Sequence, residues 1–397
     1  MTAIRLTSHC VGVVIAALSV RAAIAHVPSS PFDVSGGRGD SRTTSQQGVL
    51  SRPVVPNLDD LFALYAAGHE SEALDRLVSQ RFETEADVRL AIKELDSRIN
   101  TWPRNEAAAF ALEAASGAIL VNAVHPSAFQ PHFGEILEIG AKTLRKSPPS
   151  AFEHQWFLAA VALLTGPASD MRGGATPSSL HPGSARMDAL KTLHARSSDR
   201  FPRDPELALE WGITREAAVQ AWLYSWGTTR HVELDAAIPS EPWSADPRQW
   251  LDDAASAFET AKSDPALQGE ATLRSGLTDL YRGNEPGALA AWLQVPAFTH
   301  DRGLRYLALM FTGRARDHDG SADAAIDAFR SAAAEYPGAQ SAVIPLAALL
   351  YLSGRQDEAA TLVRPIIAAQ APATDPWWTY TDEHLAERMA AIRPAAK

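Results

Sequence analysis

Gly313-Arg314-Ala315-Arg316-Asp317-His318-Asp319-Gly320-Ser321-Ala322-Asp323-Ala324-Ala325-Ile326-Asp327-Ala328-Phe329-Arg330-Ser331-Ala332-Ala333-Ala334-Glu335-Tyr336-Pro337-Gly338 reads as a helix end, a tight turn, a second helix and a stop. In the second helix Ala322, Ala325, Ile326, Phe329 and Ala333 share one face, and Asp323, Asp327 and Arg330 lie on the other. Pro337-Gly338 terminates it. Working outward, Tyr306–Arg316 is the helix before the turn, and the next turn glycine, Gly354, comes 34 positions after Gly320. Helix Ser341–Leu352 precedes Gly354, and Ala359, Ala360 and Val363 follow it. An earlier unit has Gly276, Gly283, Ala288 and Trp292, with 37 positions from Gly283 to Gly320. The physics of such a unit is simple. Small residues let two antiparallel helices approach closely, and an aromatic fills the gap to the next pair.

A period of 34 residues resembles the tetratricopeptide repeat. Gly313, Gly320, Ala325, Phe329, Ala332 and Pro337 fall where that family places small, small, small, aromatic, small and proline. Leu346, Ala347, Gly354, Ala359 and Val363 occupy the corresponding sites of the following unit. Near the N-terminus, Leu64-Tyr65-Ala66-Ala67-Gly68-His69-Glu70-Ser71-Glu72-Ala73-Leu74 is similar to the middle of another. The resemblance implies an all-α fold in which antiparallel helical hairpins stack as an open solenoid. Clear repeats cover 266–371. Residues 57–265 read as helical hairpins without a steady register, either degenerate repeats or an unrelated helical domain. Pro365 lies inside the last second helix, where a missing N–H and a ring clash should kink or end it.

The ends of the chain read differently. Arg5 precedes the apolar run Val11–Val20, and Ala23-Ile24-Ala25 fits a small-x-small cleavage site. A helix needs about 20 apolar residues to span a bilayer, so residues 1–25 are expected to be a signal peptide rather than an anchor. The product is then exported to a periplasmic or extracellular location without a stable membrane anchor. Residues 26–56, rich in Gly, Ser and Pro, read as a disordered linker. Residues 372–397 read as a C-terminal cap. In it Leu385, Met389 and Ile392 share a helix face within Asp382–Ile392, and with Trp377 or Trp378 they would cover the apolar face left by Ala359–Val363. The rival reading makes those tryptophans a partner site.

Composition removes several classes of function. The 397 residues carry a formal charge of −11, the wrong sign for neutralising nucleic-acid phosphates or docking on anionic lipid. The only cysteine, Cys10, lies in the leader, so neither an internal disulfide nor a cysteine metal cluster can form. None of the twelve histidines sits in a His-Glu-x-x-His pattern, and His69, His154, His194 and His384 are isolated. No phosphate loop, dinucleotide fingerprint or nucleophile elbow occurs, so no catalytic residue, metal or cofactor is expected.

Two stretches stand out. Trp211, Trp222, Trp226, Trp243 and Trp250 cluster within 40 residues, and Trp211 and Trp222 return to one face of a helix starting at Pro205, with Ala218 and Val219 on the same stripe. Core packing between hairpins is the expectation, an aromatic platform for sugar or peptide the alternative. Glu210, Arg215 and Glu216 read as a solvated face. Gly166–Ser184 is a long break carrying four glycines and three prolines, either functional or disordered.

The resemblance implies a protein–protein interaction scaffold, not an enzyme. In that family the first helix of each hairpin lines a concave groove that takes a peptide or helical segment. The lining positions are Leu273, Leu277, Leu280 and Tyr281, then Met310, Arg314 and Asp317, then Ile344, Ala348 and Tyr351. Members that clamp terminal carboxylates place Lys and Asn at the fifth and ninth repeat positions. Here Leu273/Leu277, Met310/Arg314 and Ile344/Ala348 stand there, so that specificity does not carry over. The alternative is a helical-toroid enzyme or binding protein acting on carbohydrate, which would need two carboxyl groups across a central funnel and a closed ring of helices. Mass spectrometry of the exported product should give a chain starting near His26, and a full-length mass retaining Cys10 would refute cleavage.

Overall fold

The structure is a computed structural model that describes residues 57–78, 85–124, 132–165, 184–225, 245–369, 373–377, 388–392 and 394–396. The expected leader and linker, the 166–183 break, Trp226, Trp243 and Trp378 lie outside the described residues, as does the side chain of Trp222. Among the described residues every regular element is helical. In order these are α1 (Leu58–Ala66), α2 (Glu70–Val78), α3 (Glu85–Arg98), a 3₁₀ turn at Ile99–Thr101, α4 (Arg104–Val124), α5 (Phe133–Leu144), α6 (Ala151–Thr165), α7 (Ala185–Arg200) and α8 (Pro205–Ser225). They continue as α9 (Ala245–Ala261), α10 (Gln268–Tyr281), α11 (Glu285–Phe298), α12 (Arg302–His318), α13 (Ala322–Glu335), α14 (Gln340–Leu352) and α15 (Gln356–Ala368).

One turn recurs and identifies the hairpins. Gly68, Gly283, Gly320 and Gly354 have φ of 90°, 76°, 81° and 81°, a left-handed conformation in which a Cβ is strained even where space is open. At Gly320 the glycine N–H returns to Asp317 O at 3.1 Å and the next N–H, on Ser321, reaches Arg316 O at 2.8 Å. The same pair of bonds forms at Gly68 to Tyr65 and His69 to Leu64, and at Gly354 to Tyr351 and Arg355 to Leu350. This double bond closes the helix end by satisfying carbonyls that have no intrahelical partner. Its presence at Gly68 makes α1–α2 a hairpin of the same build as α10–α11, α12–α13 and α14–α15.

Within α10–α11 and α12–α13 the helices touch where a glycine meets a ring. A Cβ on Gly313 would stand 2.8 Å from Phe329, and one on Gly276 would stand 2.3 Å from the Trp292 indole nitrogen. Trp292 and Phe329 are fully buried, and Trp292 Nε1 donates to Leu273 O at 3.1 Å across the hairpin. Gly212 on α8 lies in the same way beneath Phe258 on α9, 2.4 Å from a hypothetical Cβ. The hairpin α8–α9 is therefore a further unit of this kind, with residues 226–244 between its two helices.

The middle follows a looser version of the plan. α4 pairs with α5 and α6 with α7, while Gly140 of α5 packs beneath Trp156 of the following α6, a contact between hairpins rather than within one. α6 is buried on all sides from Trp156 through Thr165, which is why its sequence is apolar without a polar face. Its last carbonyls, Leu163 O and Leu164 O, accept from Arg186, whose burial lowers its pKa to about 10.

Among the described residues substantial packing joins only helices near in the chain, so the hairpins stack as an open row and not a closed ring. The first helices α4, α6, α8, α10 and α12 touch in succession along one side. Pro365 does not end α15, which runs on to Ala368. The proline removes one N–H from the last turns of an exposed helix, where the freed carbonyl can meet water, and Pro296 and Pro345 are likewise held inside α11 and α14.

Phe329→Ala should cost roughly 3–5 kcal/mol, as truncations of buried aromatics do. Gly313→Ala alone should destabilise by about 1–3 kcal/mol through overpacking. In the Phe329→Ala background the sign should reverse, because alanine is better than glycine in a helix once the ring is gone. Urea denaturation of the four chains measures all three terms.

Candidate partner groove

The first helices present an inner side between their neighbours in the row, and the residues expected to line it divide into two sets. Leu273, Leu277, Tyr281 and Met310 are buried. They are packing residues in this structure, not an open floor. Arg314 and Ile344 are partly exposed, and Tyr351 is 59% exposed.

The reason for the burial on α12 is visible. Tyr306, Met310 and Arg314 form one stripe at i, i+4 and i+8, and the chain's own C-terminal segment lies over it. Asp375 is buried and accepts three hydrogen bonds: from Tyr306 Oη at 2.9 Å, from Ser341 N at 2.8 Å and from Trp377 N at 3.1 Å. Trp377 sets its ring 5.0 Å from Phe311 of α12, and the Arg314 guanidinium lies over it at 5.4 Å. Met310, between Tyr306 and Arg314, is left only 2% exposed.

Each contact follows from ordinary chemistry. Ser341 is in the first turn of α14, whose N-cap residue, Ala339, has no side-chain acceptor, so the Asp375 carboxylate supplies the missing cap and meets the positive end of the helix dipole. Pro376 follows Asp375 at the first position of a helical turn, where a missing N–H costs nothing. Burial, with the adjacent Asp375 carboxylate, raises the Tyr306 phenol pKa, so the hydroxyl stays a donor. Indole beneath guanidinium is a favourable cation–π pairing.

The same segment reappears at α8. Arg388 Nε donates to Glu210 Oε1 at 3.0 Å and Arg388 Nη1 lies 3.6 Å from Glu206, two carboxylates one helical turn apart. Ile392 and Ala396 are buried in the main core. Trp377 thus meets α12, while Trp378 and most of the helix expected to cover Ala359–Val363 lie outside the described residues. On the last hairpin only Ala359 of α15 is buried, and Leu352 and Ile367 are 80% and 79% exposed. Glu383 and Glu387, with Leu385, lie outside the described residues.

The expectation of a solvated face on α8 is overturned. Glu210 is 1% exposed under Arg388, and Glu216 is buried against Arg274 at 3.1 Å. Burial raises the Glu216 pKa and Arg274 opposes that shift. Gln220 donates to Tyr281 Oη at 3.1 Å, joining α8 to α10 beside this pair. Arg215 stacks over Trp211 at 4.1 Å and pairs with Asp253 at 3.2 Å. His194 stacks on the same indole at 3.8 Å, and burial first, then Arg215, lowers its pKa to about 4. A helix with neighbours on every side has no solvated face, whatever its charges. The core reading holds for Trp211 and Trp250, both buried. No group of three metal-ligating side chains occurs among the described residues, and no described helix is long and apolar enough to cross a membrane.

A tetratricopeptide-repeat family model matches residues 318–379, from the turn before α13 to just past Trp377. No match is found among curated proteins. Over that span the chain is similar to tetratricopeptide repeats, and the helical solenoid that the resemblance implied is consistent with the packed helix pairs observed. Asp375→Ala should raise amide exchange at Ser341 and Trp377 at least about tenfold, a loss on the scale of one charged hydrogen bond, with protection around Phe329 unchanged. Equal protection at Ser341 in both chains would mean that the carboxylate does not hold the segment.

Proposed function

We propose that this protein is a non-catalytic protein–protein interaction scaffold, exported through the leader expected at residues 1–25, that binds a peptide or helical segment of a partner along the inner side of its first helices. The observation that carries this reading is the seat of Asp375-Pro376-Trp377. A short acidic–aromatic segment is held there by a helix N-terminus, a phenol, an arginine and an aromatic floor. Those are the means by which a helical array takes a peptide. Ile344 and Tyr351 on α14 extend the same side beyond the segment and are accessible to a partner.

Carbohydrate hydrolysis has less support. It requires two free carboxyl groups across a shared cleft, whereas the buried carboxylates are engaged: Glu153, Glu210 and Glu216 by Arg200, Arg388 and Arg274, Glu113 by the Tyr65 hydroxyl and Asp375 by the Tyr306 hydroxyl. Among the described residues no substantial packing joins the first and last helices, as the ring closure of a toroid would.

A photoreactive residue placed at Tyr351 should give discrete adducts in the cell envelope. The same residue at Asp327, 79% exposed on the second helix α13, should give none of them. Identical adduct patterns from the two positions would sink the assignment of the inner side.

A further inference from the structure

We propose that the C-terminal segment is a placeholder for the partner, and that the groove selects a partner segment of matching chemistry: an aspartate followed closely by a tryptophan, then, further along, a basic residue. The inference rests on the scaffold reading and adds which chemistry the groove takes and what occupies it beforehand.

The groove is chemically polarised along its length. At the α12–α14 end it offers hydrogen-bond donors and a cation, namely the Tyr306 hydroxyl, the Ser341 amide and the Arg314 guanidinium. At the α8 end it offers the carboxylates Glu206 and Glu210. The resident segment is polarised the opposite way, with Asp375 at the first end and Arg388 at the second. Complementary charges at two separated points read both the composition of a segment and its direction, since a reversed segment would put like charges together at both ends.

The attachment of the segment is suited to exchange. It is joined to α15 through only the few residues after Ala369, so its effective concentration at the groove is high and modest contacts suffice to hold it. Trp377 and Arg388 remain partly exposed, while Asp375, Ile392 and Ala396 are buried, so a partner segment has to displace contacts at both ends. A partner segment meets only the fraction of molecules whose tail has left, so its apparent affinity falls by that fraction, and weakening the tail should restore it.

The test uses the full chain and a fluorescein-labelled synthetic peptide reproducing residues 373–397. Arg388→Glu places a third carboxylate against Glu206 and Glu210 and should loosen the tail without altering the groove. Fluorescence anisotropy should show the peptide binding that chain at least about tenfold more tightly than the unaltered chain. Peptides carrying Trp377→Ala or Arg388→Glu should lose about as much. An Arg388→Glu chain with unchanged helical circular dichroism and no gain in binding would overturn the inference. So would a dimer that exchanges tails, which would make a second copy the occupant. Should the variant fail to fold, hydrogen exchange on the unaltered chain decides: the amides of 373–377 and 388–396 should open far more readily than those of α12, and equal protection would make the tail a permanent part of the fold. None of these outcomes bears on adducts from Tyr351, so the scaffold reading stands or falls separately.

Discussion

Two antiparallel helices can lie only as close as the residues between them permit, and here that distance is set by glycine beneath an aromatic ring. Gly276 under Trp292, Gly313 under Phe329 and Gly212 under Phe258 leave no room for a methyl group. Each pair locks one hairpin, and the fully buried rings supply much of the core that a chain without disulfides must rely on. Where the hairpin axis is fixed, so is the direction of each first helix, and with it the stripe turned toward the inner side.

The groove is a consequence of that repetition. Stacked hairpins bring α8, α10 and α12 side by side, and the residues that meet the tail differ in chemistry from one end to the other: carboxylates on α8, a phenol and an arginine on α12. The described parts of the tail satisfy the groove's two ends, Asp375 and Trp377 at α12 and α14 and Arg388 at α8. The burial of Glu210 and Asp375 would be costly for either carboxylate alone, since a desolvated charge needs partners, and each has them. Removing the tail would leave Glu210 without Arg388 and α14 without its cap, so each end calls for an occupant of the same chemistry.

The hairpins and their turns were legible because they depend on local rules. A glycine at positive φ, a small residue facing an aromatic and a closing proline can be read at a fixed spacing, and Gly68, Gly313, Gly320, Phe329 and Gly354 take the roles that their spacing implied. The groove was legible only in part. Met310 and Arg314 stand on the expected stripe, but Met310 is covered, and the contribution of Tyr306, Asp375 and Arg388 was not anticipated. Asp375-Pro376-Trp377 could have been noticed as a helix-start signal, an N-cap residue followed by proline. Which helix the aspartate would cap besides its own could not, because Ser341 is 34 residues away.

The sequence by itself determined the helical class, the hairpin as the unit, the 34-residue register of the last repeats and the burial of Phe329, since all of these follow from periodicity and from contacts within one hairpin. Only the tertiary structure decided the rest. It turned Glu210 and Glu216 from part of an expected solvated face into buried partners of arginines, set Arg215 against Trp211 and Asp253, and laid Trp377 on α12. The physical reason is the range of the interactions. A charged residue on a helix looks the same in sequence whether water or an arginine 178 positions away neutralises it, and only the packing of the whole row brings Arg388 to Glu210.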